Sequence, residues 1–358
     1  MDIKIRGFEK NYIIDVAGEI DLYNAFRLRD AVKTVIEKKS DALILNLERV
    51  TYIDSSGIGA LLSIKAILAP MGIPFHIVRV PPPVMRVVDL TRLSGFLPIT
   101  KTELEALDMI LKTKTQVEPG QENNRRTVPD SQGSRVEARK RSVWGSVLHA
   151  IDQSKTLTAK TFTYLPNERR HIDRILAAFL KAVDMAPLGN NLSYCIHELA
   201  GNAKKANTKR LYFEEKKLDI LNDDDYATGM ERFKQEALEK IDYYHARLRE
   251  RGLYVKFQFR KTPRGLRICI RNNVILTPAE KRRIEEKLAI AKSFSSLPDA
   301  YARTEDASEG AGLGIVMMLF MLRNLGIDQD AFTIRASGSE TLATLTLMRP
   351  VSKKHSRN

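Results

Sequence analysis

Cysteine, tryptophan and long apolar runs are scarce in this chain of 358 residues, which has two cysteines and one tryptophan. Cys195 and Cys269 stand among apolar neighbours without metal-type spacing, so we expect two reduced core residues. The longest apolar run, Gly314–Leu322, is too short to span a membrane. The N-terminal stretch MDIKIRGFEKNY lacks a basic segment followed by an apolar one, so no secretory leader is expected. These absences predict a cytoplasmic protein.

The net charge of +14 is unevenly distributed. Residues 1–110 carry 14 Lys and Arg against 14 Asp and Glu, so the whole excess lies beyond them. Clustered basic charge can give salt-dependent affinity for nucleic-acid phosphates. The basic residues are scattered, however, and no aromatic-rich nucleic-acid motif accompanies them. The pattern favours a solvated basic face, with nucleic-acid binding as the weaker alternative.

The sequence predicts two folded α/β units joined by a flexible linker. Over residues 1–112, short strands alternate with amphipathic helices, which predicts a small domain with a mixed sheet. Residues 113–142 have no apolar periodicity and are rich in Pro, Gly, Asn, Ser and charge, as is typical of a linker. Residues 143–350 form the second predicted domain, and residues 351–358 a basic tail.

Two stretches of the second domain carry more local predictions. The segment Arg210–Phe213, RLYF, predicts a short strand because it is apolar and aromatic. The segment Glu214–Gly252 is charged and largely helical in pattern. Further on, two hairpins are predicted, the first turning at Pro263–Gly265 and the second within AFTIRASGSETLATLTL.

The stretch TYIDSSGIGALLS places Asp54, Ser55 and Ser56 between an apolar strand and an apolar helix. Unpaired backbone N–H groups and the positive end of the helix dipole face this point. Asp54 or Ser55 can therefore act as a simple N-cap. A phosphorylation site is the alternative, since a phosphate here would be tolerated electrostatically and would add close to two negative charges.

DALILNLERVTYIDSSGIGALLSIKA, with VAGEIDLYNAFRLRDAV before it, resembles a STAS domain of the bacterial anti-sigma factor antagonist family. The resemblance covers essentially all of residues 1–110. In that family the first serine of the Asp-Ser-Ser/Thr-Gly segment is phosphorylated. The resemblance therefore implies that Ser55 is the phosphoacceptor, with Ser56 as the neighbouring alternative and Asp54 as the preceding acid.

In the second domain, CIHELAGNAKKAN places three polar side chains on one helix face. Glu198 and Asn202 are four residues apart, and Lys205 lies one turn beyond. A carboxylate, a carboxamide oxygen and an ammonium on one face suit a magnesium nucleotide. Such stripes are also common on solvated faces, so the stripe alone does not establish a site.

In a second segment, EGAGLGIVMMLFMLRNLG, three glycines stand directly before a predicted apolar helix. Gly310, Gly312 and Gly314 would allow a phosphate to approach the backbone, and the helix N-terminus would supply N–H donors. A glycine-rich turn alone is common, and without a strand directly before it the pattern does not fit a dinucleotide-binding fold.

In this order, with a strand ending in RNN between them, these segments resemble the GHKL ATPase fold over about residues 165–348. Its members include sensor histidine kinases and anti-sigma serine kinases. The resemblance implies a two-layer α/β sandwich that binds ATP and Mg²⁺. It also implies Glu198 as general base, Asn202 as Mg²⁺ ligand, and Lys205, Gly310, Gly312 and Gly314 at the nucleotide. His197 belongs to the same motif and is interpreted as structural.

The chain departs from the family pattern at the first glycine box. There the family has an Asp that recognises the adenine amino group, followed by glycines. Here Asn272 takes the place of the Asp, and Val274 and Leu276 replace glycines. An Asn can accept from the adenine amine and donate to a ring nitrogen, so Asn272 stays a predicted nucleotide-binding residue. Residues Ser293–Glu309 occupy the place of the ATP lid, and Glu214–Gly252 is an atypical insertion.

Both resemblances in one chain imply a bacterial signalling protein of the partner-switching type that regulates an anti-sigma/sigma or similar pathway. The implied partners are other STAS or anti-sigma kinase proteins and a metal-dependent serine phosphatase. Whether the protein is an enzyme stays open. The intact Glu198, Asn202 and Gly310–Gly314 favour kinase or ATPase activity, whereas the altered first glycine box favours a non-catalytic scaffold. A histidine kinase is disfavoured, because no helical phosphoacceptor hairpin precedes the domain.

Overall fold

A computed structural model describes residues 1–8, 10–114, 140–303 and 313–349. Most of the predicted linker and the whole predicted tail lie outside these residues. Within the described part, the chain forms two five-stranded sheets, each with its own helices. In the same part, no helix combines the length and the apolar character that a membrane span requires.

The first unit is a mixed sheet in the order β1-β2-β3-β4-β5. Strands β1 and β2 are antiparallel and the remaining neighbours are parallel, which confirms the predicted mixed sheet. Its elements are β1 (Asp2–Phe8), β2 (Asn11–Ile20), α1 (Ala25–Glu37), β3 (Ala42–Ile53), α2 (Ser55–Leu68), β4 (Phe75–Val78), α3 (Pro82–Leu90), β5 (Ile99–Thr100) and α4 (Glu103–Lys114).

Burial explains why β3 is central and where α2 begins. The first six residues of β3 are all buried, as expected of a strand covered on both faces. Helix α2 has little amphipathic character and buries most of its residues. At Gly57 an added Cβ would lie 2.5 Å from Cγ1 of Ile53 and 2.8 Å from the carbonyl oxygen of Ile20. The glycine therefore allows α2 to start directly against the sheet.

The second unit is an antiparallel sheet in the order β6-β7-β8-β10-β9. Both predicted hairpins are present, as β7–β8 and β9–β10. Its elements are α5 (Lys140–Asp152), β6 (Leu157–Thr161), α6 (Pro166–Ala182), α7 (Gly189–Lys216), α8 (Asp223–Glu239), α9 (Ile241–Glu250), β7 (Val255–Thr262), β8 (Gly265–Asn272), α10 (Pro278–Ser293), α11 (Leu297–Arg303), α12 (Leu313–Asn324), β9 (Phe332–Ser337) and β10 (Glu340–Met348).

The predicted strand at Arg210–Phe213 is wrong, because α7 continues through it to Lys216. Leu211, Tyr212 and Phe213 are buried in a separate small core with side chains of α8 and α9. The aromatic character that suggested a strand therefore reflects a helix covered by the inserted helices. The helical prediction for the insertion itself is confirmed.

The two units contact each other directly. Helix α2 of the first unit lies against α12 of the second. Most of the buried apolar side chains of both units belong to one continuous hydrophobic core. At the edge of this contact, Arg86 donates a hydrogen bond to Asn190 at 3.2 Å. The start of α2, with its serines, is thereby brought to the second unit.

Candidate functional site

Asp54 links the end of β3 to the first turn of α2. Its Oδ1 accepts hydrogen bonds from the backbone N–H of Ser56 at 2.8 Å and of Gly57 at 3.0 Å. Its Oδ2 accepts from the backbone N–H of Leu22 at 3.0 Å. The N-cap interpretation is confirmed for Asp54. The same bonds hold Ser55, which is 6% exposed, as the first residue of the helix.

Ser55 faces Glu198 of α7. Glu198 is 8% exposed, and the neighbouring hydroxyl and backbone N–H of Ser55 act to lower its pKa by hydrogen bonding. The side-chain amide of Asn202 donates to Oε1 of Glu198 at 3.2 Å. The serine that the STAS resemblance implies as phosphoacceptor thus lies near the glutamate that the GHKL resemblance implies as general base. The two belong to different units of the chain.

Gly314 makes room for the Glu198 side chain. A Cβ at Gly314 would lie 1.8 Å from Oε1 and 2.4 Å from Cδ of Glu198. The sequence predicted close approach of a ligand phosphate at this glycine. The structure places a protein carboxylate there, next to the start of α12, where helix N–H groups favour negative charge. A phosphate contact at Gly314 stays a prediction.

Three carboxyl groups meet at this contact. Burial is the main cause of a raised pKa for each of Asp21, Asp54 and Glu198. The charges of Asp21 and Glu198 raise the pKa of Asp54 further. Hydrogen bonds from Ser55 and Asn202 oppose the rise for Glu198. A carboxyl group with a raised pKa is better suited to accept a proton near neutral pH.

Two cationic side chains of the second unit hold this part of the first unit. Arg169 of α6 forms an ion pair with Glu19 at 3.1 Å, and its guanidinium lies 4.4 Å from the ring centroid of Tyr52. Lys204 of α7 lies 4.4 Å from the ring centroid of Tyr23. Burial lowers the pKa of Lys204 to about 8. Cation–π contacts of this kind contribute more when they are shielded from water.

His197 has a partner for each ring nitrogen. Its Nδ1 forms a hydrogen bond with the Tyr164 hydroxyl, and its Nε2 lies 2.9 Å from Oδ1 of Asp173. Tyr164 also stacks on Phe257 of β7. These contacts connect α6, α7 and the sheet, and they agree with a structural role for His197.

A cavity of about 220 Å³ extends from Ser55 and Glu198 towards β8 and β10. Its lining brings together predicted residues that are far apart in the sequence. Those present are Ser55, Ser56, Glu198, Asn202, Lys205, Asn272 and Gly314. Gly310 and Gly312 lie outside the described residues, as do residues 304–309 of the predicted lid, whereas its earlier part contains α11.

Asn272, the last residue of β8, also lines the cavity. It is 3% exposed, and its side-chain amide donates to Oδ1 of Asn207 at 3.1 Å. The amide of Asn207 in turn donates to the carbonyl oxygen of Tyr254 at 2.9 Å. Val274 and Thr341 line the cavity as well. The sequence did not identify Asn207, although it belongs to the same helical motif as Glu198.

Sequence reasoning also missed the cations of α10. Arg283 and Lys287, one turn apart, line the cavity together with Lys209 and Arg210 of α7. Their helical spacing in PAEKRRIEEKL was visible, but basic residues on an amphipathic helix usually face water. In the described residues, no group of three or more His, Cys, Asp or Glu side chains could hold a metal ion.

Comparison with known proteins assigns the first unit. Residues 2–106 match the STAS domain family. The anti-sigma F factor antagonist of Paenibacillus polymyxa is 28% identical over 96 residues, which are 26% of this chain and 82% of that protein. The solved structure of the anti-sigma factor antagonist SpoIIAA in its unphosphorylated form is 24% identical. The structural match covers 31% of this chain and 96% of the SpoIIAA chain, with a TM-score of 0.28. The N-terminal unit is therefore a STAS domain of the anti-sigma factor antagonist type.

A longer relative extends beyond this domain. An uncharacterized protein of Treponema pallidum (strain Nichols) is 37% identical over 202 residues, which are 56% of this chain. The matched region spans 39% of the length of that relative.

Proposed function

We propose that this chain is a bacterial partner-switching protein whose C-terminal unit is an ATP-dependent serine kinase for Ser55 of its own STAS domain. The observation that carries the proposal is the contact between Ser55 and Glu198 at one end of the cavity. The names of the STAS relatives support the signalling role, since they are antagonists of anti-sigma factors.

The reaction would transfer the γ-phosphoryl group of ATP. The Ser55 oxygen forms a bond to the γ-phosphorus while the bond from that phosphorus to the β–γ bridging oxygen breaks, and ADP leaves. The hydroxyl proton passes to the carboxylate of Glu198, which it already faces. Asn202 orients this carboxylate, and the N-cap bonds of Asp54 hold Ser55 in position.

The side chains that line the cavity support the proposal. The Asn272 side chain lines the cavity and can meet a nucleobase edge, and cations of α7 and α10 line the remaining wall. Mg²⁺ in nucleotide sites takes one or two protein ligands together with phosphate oxygens and water. The Asn202 side chain would fit as such a ligand, and Mg²⁺ would neutralise phosphate charge when bound.

Asn202→Ala is expected to abolish measurable binding of Mg-ATP, because it removes the proposed metal ligand and the restraint on Glu198. Calorimetric titration of the full chain to millimolar ATP, with and without Mg²⁺, measures this. Asn167→Ala is the matched control, since Asn167 is exposed on α6 and is not part of the cavity lining. Saturable binding that is equal in both variants would remove Asn202 from the site.

A non-catalytic scaffold is the second proposal. It is favoured by Asn272, which replaces the acid expected for adenine recognition and already donates its amide to Asn207. In that case the STAS domain would dock other regulators, and wild-type titrations with ATP would be flat. In either case we propose other STAS or anti-sigma kinase proteins as partners. A metal-dependent serine phosphatase would reset Ser55.

A further inference from the structure

Tyr226 of α8 connects the inserted helices to the cavity wall. Its hydroxyl accepts hydrogen bonds from Nη1 of Arg283 at 2.5 Å and from Nζ of Lys209 at 3.4 Å. Both cations also lie over its ring, at 4.9 Å and 5.4 Å from the centroid. Tyr226 thus holds a cation of α10 and a cation of α7 at the same point. Both cations line the cavity.

The position of Tyr226 is set by the insertion. The tyrosine is 8% exposed and packs in the small core shared by α8, α9 and the end of α7. Its ring lies 5.9 Å from that of Phe213. One turn on, Gly229 approaches so closely that an added Cβ would lie 2.4 Å from Cζ of Phe213. Helix α8 is therefore fixed against α7, and the hydroxyl is held with it.

More cationic than anionic side chains of α7 beyond Asn202 and of α10 line the cavity near Tyr226. Lys209 lies 2.7 Å from Glu280, and Arg210 donates to both oxygens of that carboxylate. Although burial opposes it, these two cations lower the pKa of Glu280 to about 2, so the carboxylate stays ionised. Among the described lining residues of α7 beyond Asn202 and of α10, Glu280 is the one carboxylate. The cations there are Lys204, Lys205, Lys209, Arg210, Arg283 and Lys287.

Lys209, which is paired with Glu280, and Arg283 both donate to one hydroxyl oxygen, so two positive charges lie close together at this wall of the cavity. A basic helix face that is merely solvated would not need a buried acceptor to gather its charges. A ligand with several negative charges in the cavity would be stabilised by this arrangement.

We propose that the insertion is a positioning module for the phosphate end of the nucleotide, with Tyr226 holding Arg283 and Lys209 in the cavity wall and Lys287 beside them. This inference rests on the proposed function, because it concerns how the same cavity holds its nucleotide. The insertion, with α8 and α9, would thereby have a role in nucleotide binding. Nucleotide affinity would then depend on helices that lie outside the sheet.

Tyr226→Phe is the direct test, since it removes the hydroxyl and keeps the ring and the core packing. Calorimetry on the full chain with ATP, ADP and adenosine should show ATP and ADP weakened by about tenfold, as expected for hydrogen bonds to charged groups. Adenosine, which has no phosphate, should bind as tightly as it does to the wild type. Tyr243→Phe is the matched control, because Tyr243 is exposed on α9 and donates to Glu215 outside the cavity.

A second variant, Lys287→Gln, leaves the insertion intact and should also weaken ATP without weakening adenosine. Equal ATP affinity in Tyr226→Phe, Lys287→Gln and the wild type would overturn the inference and leave the proposed function standing. Equal loss of ATP and adenosine in Tyr226→Phe would also overturn it, by showing that the tyrosine supports the whole pocket. A wild type that binds none of the three ligands would overturn both the inference and the proposed function.

Discussion

Glu198→Gln is expected to slow phosphate transfer to Ser55 by about 100-fold or more, the effect of losing a general base. Glutamine keeps the shape of the side chain and can still accept a hydrogen bond from Ser55, but it cannot take up the proton. The substitution also removes one of the charges that raise the pKa of Asp54, so the contact between the two units should not weaken. Nucleotide affinity should stay within about threefold, since in this role Glu198 contributes to the chemical step.

The rate is measured as phosphate incorporation into the full chain, and the affinity by calorimetry on the same preparation. Glu214→Gln provides the control, because Glu214 is an exposed, ion-paired residue near the end of the same helix. Parallel losses of binding and rate in Glu198→Gln would contradict the assignment of Glu198 as a base.

Gly314→Ala is expected to reduce phosphate transfer to a similar extent, although it adds one methyl group. That methyl group would lie 1.8 Å from Oε1 of Glu198, so either the carboxylate leaves Ser55 or α12 shifts. Overpacking of this kind typically costs about 1–3 kcal/mol of stability. Thermal melting and the phosphate-incorporation assay together measure both effects.

A double-mutant cycle identifies the cause. When Glu198 is first truncated to alanine, the clash is absent, and Gly314→Ala should then cost little stability. Gly145→Ala is the control, since no atom lies within 4 Å of a Cβ added at this glycine of α5. Full activity of Gly314→Ala would show that Glu198 does not need its present position.

The secondary structure was largely predictable where its pattern is local. Alternating strands and helices predicted the mixed sheet of the first unit. The apolar run before Asp54 predicted β3, and the apolar segment after it predicted α2. Arg210–Phe213 was predicted wrongly because its aromatic residues suit a strand as well as a buried helix. Their covering partners, α8 and α9, follow later in the chain, and a local pattern does not show that pairing.

The site was predictable where its residues share a helix face. Glu198, Asn202 and Lys205 follow the helical period, and the structure places all three at one cavity. The contact of Arg169 with Tyr52 was not predictable, because it joins two units and no local sequence pattern shows which residues of separate units meet. Nor was the contact of Tyr226 with Arg283, which depends on the tertiary position of α8.

The most direct test of the account is mass spectrometry of the full chain after incubation with Mg-ATP. The account predicts one phosphate on Ser55, its loss in Ser55→Ala, and its retention in Ser56→Ala. Glu198→Gln should show the same product at a much lower rate. The contradicting result would be a protein that calorimetry shows to be saturated with Mg-ATP and that carries no phosphate on Ser55 or Ser56. That result would exclude the proposed kinase activity.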